Sequence, residues 1–119
     1  MRLLVCGSRN YDNFSHVCDV LDVIALEYPD LHIIHGGADG VDTNAGEWAY
    51  MNNKPCTRYP ALWYKHGKAA GPIRNKQMID DGKPDKVLAF LAPNSRGTKN
   101  MIEQSTEANI PVRIIEISN

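Results

Sequence analysis

The residues of this chain best suited to chemistry sit in three glycine-bearing turns and one helix start. The turns are Cys6-Gly7-Ser8-Arg9, His35-Gly36-Gly37-Ala38-Asp39-Gly40-Val41-Asp42 and Pro93-Asn94-Ser95-Arg96-Gly97-Thr98. The fourth stretch is Gly71-Pro72-Ile73-Arg74-Asn75-Lys76. Each turn follows an apolar run that reads as a buried strand and precedes a segment of helical periodicity. A strand that ends in glycine before a helix leaves backbone N–H groups bare beside a helix N-terminus. There the orphan donors and the helix dipole both favour an anion, most often a phosphate. Arg74 adds a planar guanidinium suited to gripping phosphate through two bonds, and Asn75 beside it adds an amide. The chemistry implied is the holding of a nucleotide-like ligand.

The glycine turns differ in what they say. Gly7-Ser8-Arg9 serves a tight strand-to-helix turn as readily as a ligand. Gly36, Gly37 and Gly40 fall within five residues, more than a plain turn needs. Asp42, in the first turn of the following helix, can cap free N–H groups or face a ligand hydroxyl. Thr98 can cap the last helix while its neighbours meet a phosphate. Trp63 or Tyr64 can stack on a base, and His66 reads as a polar loop residue rather than a proton carrier.

Composition narrows the classes. The 119 residues carry 13 Lys+Arg against 14 Asp+Glu, so no general attraction to nucleic acid or membrane is expected. No acid occurs between Glu47 and Asp80, whereas Lys54, Arg58, Lys65, Lys68, Arg74 and Lys76 all do. Lys54 and Arg58 read as solvated surface, and Lys65 to Lys76 as a ligand-facing loop. Three cysteines without CxxC spacing indicate neither a disulfide framework nor a zinc site, and no His or Asp cluster has metal-ligand spacing. No cofactor is expected. Without an apolar signal region or a membrane-length run, a cytoplasmic protein is expected.

The elements that position these residues alternate strand and helix along the whole chain. The pattern predicts a helix capped by Ser15 and stopped at Pro29-Asp30, and a second from Val41 with Val41, Ala45 and Trp48 on one face. A short strand is predicted at 56–59, a loop over 60–71 and a helix over 73–81. Arg74 and Asn75 would then flank its N-terminus. A strand at 86–92 leads to a helix over 98–109, with Met101, Ile102, Ser105 and Ala108 inward, and the last strand covers 112–117. Five strands separated by helices predict one α/β domain over 1–119. It would be a Rossmann-like three-layer sandwich on a mostly parallel five-stranded sheet of order 3-2-1-4-5. In that order a crevice opens where strands one and four diverge at their carboxyl ends, between the Gly7 and Gly97 turns. No Walker or GxGxxG frame is present, which excludes a P-loop NTPase and an ordinary dinucleotide dehydrogenase.

These motifs, with Ala61-Leu62-Trp63, His66-Gly67 and Ala70 to Asn75, resemble the SLOG superfamily. The likeness is strongest to its small single-domain branch, the YspA-like proteins of bacteria and phages. The superfamily also contains Lonely guy phosphoribohydrolases, DNA-processing protein A and sensor domains for nucleotide messengers. The resemblance implies a Rossmann-like sheet whose glycine turns, Arg74 and Gly97-Thr98 hold a phosphoribosyl or ADP-ribose-like group. Phosphoribohydrolase members carry Pro-Gly-Gly-x-Gly-Thr-x-x-Glu, whose Glu assists cleavage of the base–ribose bond. Here that position is Met101, and Glu103 lies about 200° around the helix from it.

The expected function is therefore to sense or sequester an AMP- or ADP-ribose-like nucleotide. Its ligand-binding set is Gly7, Ser8, Arg9, Gly36, Gly37, Ala38, Gly40, Asp42, Trp63, Arg74, Asn75, Arg96, Gly97 and Thr98. The alternative is hydrolysis of an N-glycosidic bond, with Arg74 stabilising the departing charge and Asp42 steadying the ribose cation or activating water. A third reading, single-stranded nucleic acid on the Lys65 to Lys76 loop, is disfavoured by the net charge. SLOG relatives imply a homodimer, for which Trp48-Ala49-Tyr50-Met51 offers an apolar segment.

Overall fold

The strands form because their apolar runs can be buried on both faces at once. In the computed structural model, which describes residues 1–118, β1 (Arg2–Gly7), β2 (His32–His35), β3 (Cys56–Arg58), β4 (Lys86–Leu91) and β5 (Val112–Glu116) build one sheet of order β3-β2-β1-β4-β5. All four pairings are parallel. The fold is α/β and Rossmann-like, as expected, with every neighbour parallel rather than most.

Alternation along the strands divides the interior into two cores. Leu3 and Val5 of β1 and Leu88 and Phe90 of β4 face one side. There they meet Val17 and Leu21 of α1 (Phe14–Glu27) and Val41, Ala45 and Trp48 of α2 (Val41–Met51). Leu4, Cys6, Val87 and Ala89 face the other side, against Met78 of α4 (Ala70–Asp80) and Met101 of α5 (Arg96–Glu107). Burying a side chain of this size is worth roughly 1.5–3 kcal/mol, so either layer, once stripped, would lose most of the domain's stability.

Several boundaries differ from expectation. Helix α1 is capped by Asn13, whose Oδ1 accepts from the His16 N–H at 3.1 Å, and not by Ser15. The segment 60–71 is not a loop throughout: Trp63–His66 forms a short helix α3, and Gly67–Ala69 a 3-10 turn that runs into α4. Helix α4 starts three residues early, so Pro72 is its third residue. That position is tolerated because its N–H would have no intrahelical partner anyway. Arg74 and Asn75 consequently lie in the second turn and do not flank the N-terminus. Helix α5 starts at Arg96 and ends before Ala108, which is exposed instead of inward. Trp48 is 2% exposed and belongs to the core, where its Nε1 donates to Asp22 at 2.8 Å. Of the proposed interface segment only Tyr50 and Met51 remain on the surface. Among the described residues no helix is long and apolar enough to cross a membrane.

Candidate functional site

The sheet order places the carboxyl ends of β1 and β4 side by side, and the turns leaving them go to opposite faces. A crevice of about 280 Å³ opens between them. It is lined by Gly7, Ser8, Arg9, Ala38, Asp42, Arg74, Asn75, Arg96, Gly97 and Thr98, all expected from sequence. Cys6, Asn10, Met78, Asn94 and Ser95 complete the wall. A second hollow of about 290 Å³ adjoins it, lined by Gly36, Gly37, Asp39, Arg58, Pro60, Ala61 and Trp63 together with Arg9, Ala38 and Arg74. Of the expected ligand residues only Gly40 lines neither.

Gly40 has a different task. Its backbone is at φ +76°, and an added Cβ would overlap the Ser8 carbonyl oxygen and lie 2.7 Å from that of Arg9. It lets the second turn press against the first, so that Val41 N–H donates to Ser8 O at 3.3 Å.

Asp42 is 4% exposed and does not cap its own helix. Its Oδ2 reaches back to accept from the N–H groups of Gly36 and Ala38, at 3.0 and 3.3 Å, and so curls the glycine turn around a carboxylate. Burial pushes its pKa up to about 6, while Arg74 and the two N–H groups pull it down. Arg74, half-buried, donates from Nε to Asn75 Oδ1 at 3.0 Å and from Nη1 to Gly36 O. Two corners of its fork are thus tied to the protein, which fixes the guanidinium in the crevice wall. Asn75 spends its Nδ2 donors on Gly97 O at 3.2 Å and Asn100 Oδ1 at 3.1 Å, clasping α4 to the start of α5. It positions Arg74 and the Gly97 turn.

At the other wall, the N–H groups of Gly97 and Thr98 have no acceptor among the described residues, as expected for the first turn of a helix. Thr98 is 4% exposed, and the Ser95 Oγ is fully buried without a partner among the described residues. An unpaired buried polar atom costs about 1–3 kcal/mol, so the Ser95 Oγ, beside the free N–H groups of the helix start, makes this wall receptive to a polar group. Arg9, Arg74 and Arg96 against Asp42, the one acid in the crevice among the described residues, give it a net positive lining.

The structure brings together less of the basic segment than expected. Lys65, Lys68 and Lys76 line neither hollow, and Lys76 forms the one ion pair among the described residues, with Asp80 at 2.7 Å. Tyr64 is 88% exposed and away from both hollows, which leaves Trp63 as the aromatic wall. Arg58, read from sequence as solvated surface, lines the second hollow. Its signal was positional: the register pairs it with His35 at the carboxyl end of β3, where side chains of such sheets face ligands. Met101 is fully buried in the core and Glu103 is exposed, so neither reaches the crevice. Among the described residues no group of His, Cys, Asp and Glu is arranged to hold a metal.

Two buried groups titrate with opposite effect. His35 accepts the Gly37 N–H at Nδ1, and burial, then Arg58 and Arg74, lower its pKa to about 4. Its folded pKa lies below the unfolded value, so acid removes stability as pH falls from about 6.5 to 4. Asp42 has a raised folded pKa, so its penalty is absent below about pH 4 and complete above about 6. The two slopes oppose each other in one window. Asp42→Asn keeps an oxygen for both N–H groups and removes one slope. Its stability relative to wild type should therefore rise by about 3 kcal/mol from pH 4 to pH 7. Urea unfolding across that range checks this; a constant difference between the two proteins would mean that Asp42 titrates normally.

Comparison with known proteins agrees with the fold. Residues 1–66 match the model of the YspA, cpYpsA-related SLOG family. The chain is 37% identical over 117 residues to the Gene 61 protein of Mycobacterium phage D29, covering 93% of each. It also superposes on DNA processing protein A from Streptococcus pneumoniae with a TM-score of 0.77 at 21% identity, over 95% of this chain. This chain spans about half of that protein, 49%. At that identity the likeness is one of fold.

Proposed function

This chain belongs to the YspA, cpYpsA-related SLOG family, and from that premise we propose that its crevice binds a nucleotide-like ligand bearing phosphate and ribose, AMP- or ADP-ribose-like, which it senses or sequesters. The observation that carries the reading is the unsatisfied wall at the start of α5. The N–H groups of Gly97 and Thr98 have no acceptor among the described residues and border a crevice edged by three arginines. A phosphate placed there would satisfy donors that no described residue does. Asp42, on the opposite wall, suits a ribose hydroxyl, since its Oδ1 has no protein partner among the described residues. Native mass spectrometry of the purified protein tests the reading: a co-purifying mass that matches a nucleotide supports it, and calorimetry in which neither AMP nor ADP-ribose binds defeats it.

Arg74 gives a sharper test. Arg74→Ala should weaken AMP binding by roughly 1.5–3 kcal/mol, the worth of a charge-assisted hydrogen bond in a shielded site. Arg74→Lys should restore little, because a point charge cannot hold Gly36 and Asn75 and still face a phosphate. Unchanged affinity in Arg74→Ala, with a lowered melting temperature, would make Arg74 a purely structural brace.

One observation favours the hydrolytic alternative. Asp42 lines the crevice with a pKa of about 6, close to where a general acid or base works best. Against it, the Asp42 Oδ2 is already engaged by two backbone donors, and among the described residues no second carboxylate lines the crevice. Binding without turnover is the better-supported reading.

A further inference from the structure

The double glycine Gly36-Gly37 makes room for two guanidinium groups. An added Cβ on Gly36 would overlap Arg74 Nη1, and one on Gly37 would overlap Arg58 Nε. Two arginine heads are thus laid across one turn, a costly arrangement for like charges unless an anion lies between or beside them. Arg74 faces both hollows, and so does Arg9. The shared boundary between the hollows is therefore cationic. Beyond it stands Trp63, 51% exposed, with an unpartnered ring in the wall of the second hollow. Asp39 is the one acid there.

Size argues the same way. Ordinary small-molecule sites occupy about 300–1,000 Å³. Each hollow alone falls just short of that range, at about 280 and 290 Å³, whereas the two together lie within it.

We propose that the hollow walled by Arg58 and Trp63 is a second subsite for the same ligand, and that the ligand is two-ended. Its class is a nucleoside joined through a diphosphate to a further ring-bearing group, with the diphosphate at Arg9 and Arg74. This rests on the phosphate-and-ribose reading above, and adds that length is recognised. The inner phosphate meets the N–H groups of the Gly97 turn, with the adjoining ribose at Asp42. The other end stacks on Trp63, with Arg58 neutralising the outer phosphate. A lone mononucleotide fills one hollow and leaves the second to water.

Calorimetry with AMP and ADP-ribose as probes tests it. Wild-type protein should bind ADP-ribose at least about tenfold more tightly than AMP. Arg58→Ala and Trp63→Ala should each shrink that ratio to below about threefold. The Arg58 side chain makes no hydrogen bond to a described residue and both side chains are exposed, so folding is spared. A structural role would move both affinities together and leave the ratio intact. AMP binding with no preference for ADP-ribose, or a ratio unmoved in both variants, overturns the second subsite while leaving the mononucleotide reading standing. Binding of neither probe overturns both.

Discussion

Gly40→Ala should cost this protein about 3–5 kcal/mol, a large part of the stability of a domain this size, without touching any ligand. At φ +76° and ψ −124° the residue occupies a region open to glycine and costing other residues about 1–3 kcal/mol. The new methyl also meets fixed backbone, the carbonyls of Ser8 and Arg9, with no flexible side chain to give way. Overpacking of that kind costs a further 1–3 kcal/mol or so. Relief by rotating the Ser8 peptide would break the bonds its oxygen accepts from Tyr11 and Val41. The contrasting change is Gly97→Ala. There an added Cβ meets nothing within 4 Å and the position is helical, so stability should hold or rise by up to about 1 kcal/mol. Thermal unfolding of both variants decides it. A Gly40→Ala midpoint equal to wild type would show that the two turns are not braced against each other.

Much of the architecture was legible because the strands announce themselves twice, by continuous apolar runs and by the glycine that ends them. Leu3-Leu4-Val5 and Val87-Leu88-Ala89-Phe90 can only be buried on both faces, and that requires helices on either side. The segment around Trp63 was not legible. Its single helical turn lacks periodicity, and its shape depends on running into α4 rather than on any local signal. Pro72 misled in a simple way, since a proline suits any residue of a first turn and so cannot mark which one comes first. In the crevice, the glycine turns that line it were readable from residue type, but their internal wiring was not. The bond from Asp42 to a backbone six residues earlier exists because Gly36 to Gly40 curl back. Residue type likewise gave no sign that Gly37 makes room for the Arg58 side chain. Arg58 itself looked like ordinary solvated charge until the register of β3 set it beside His35.

Incubated with an AMP- or ADP-ribose-like ligand, the protein should return that ligand intact after hours. Cleaving a base–ribose bond needs a group that activates water or steadies the ribose cation, and general acid–base help is worth about 10²–10⁴-fold. Among the described residues the crevice offers one carboxylate for this, Asp42, and its geometry is committed: Oδ2 holds the Gly36 and Ala38 N–H groups, so using it as a base would loosen the turn that shapes the site. The helix position that could supply a second carboxylate is Met101, sealed in the core, and Glu103 faces solvent. Asp39 is exposed and lines only the outer hollow. A pKa of about 6 leaves Asp42 mostly ionised at neutral pH, a state suited to the proposed role of orienting a ribose hydroxyl. Chromatography of the mixture reads the outcome directly. Free base accumulating over many turnovers, and abolished by Asp42→Asn, would replace the sequestering protein with a glycosidase that manages with a single carboxylate.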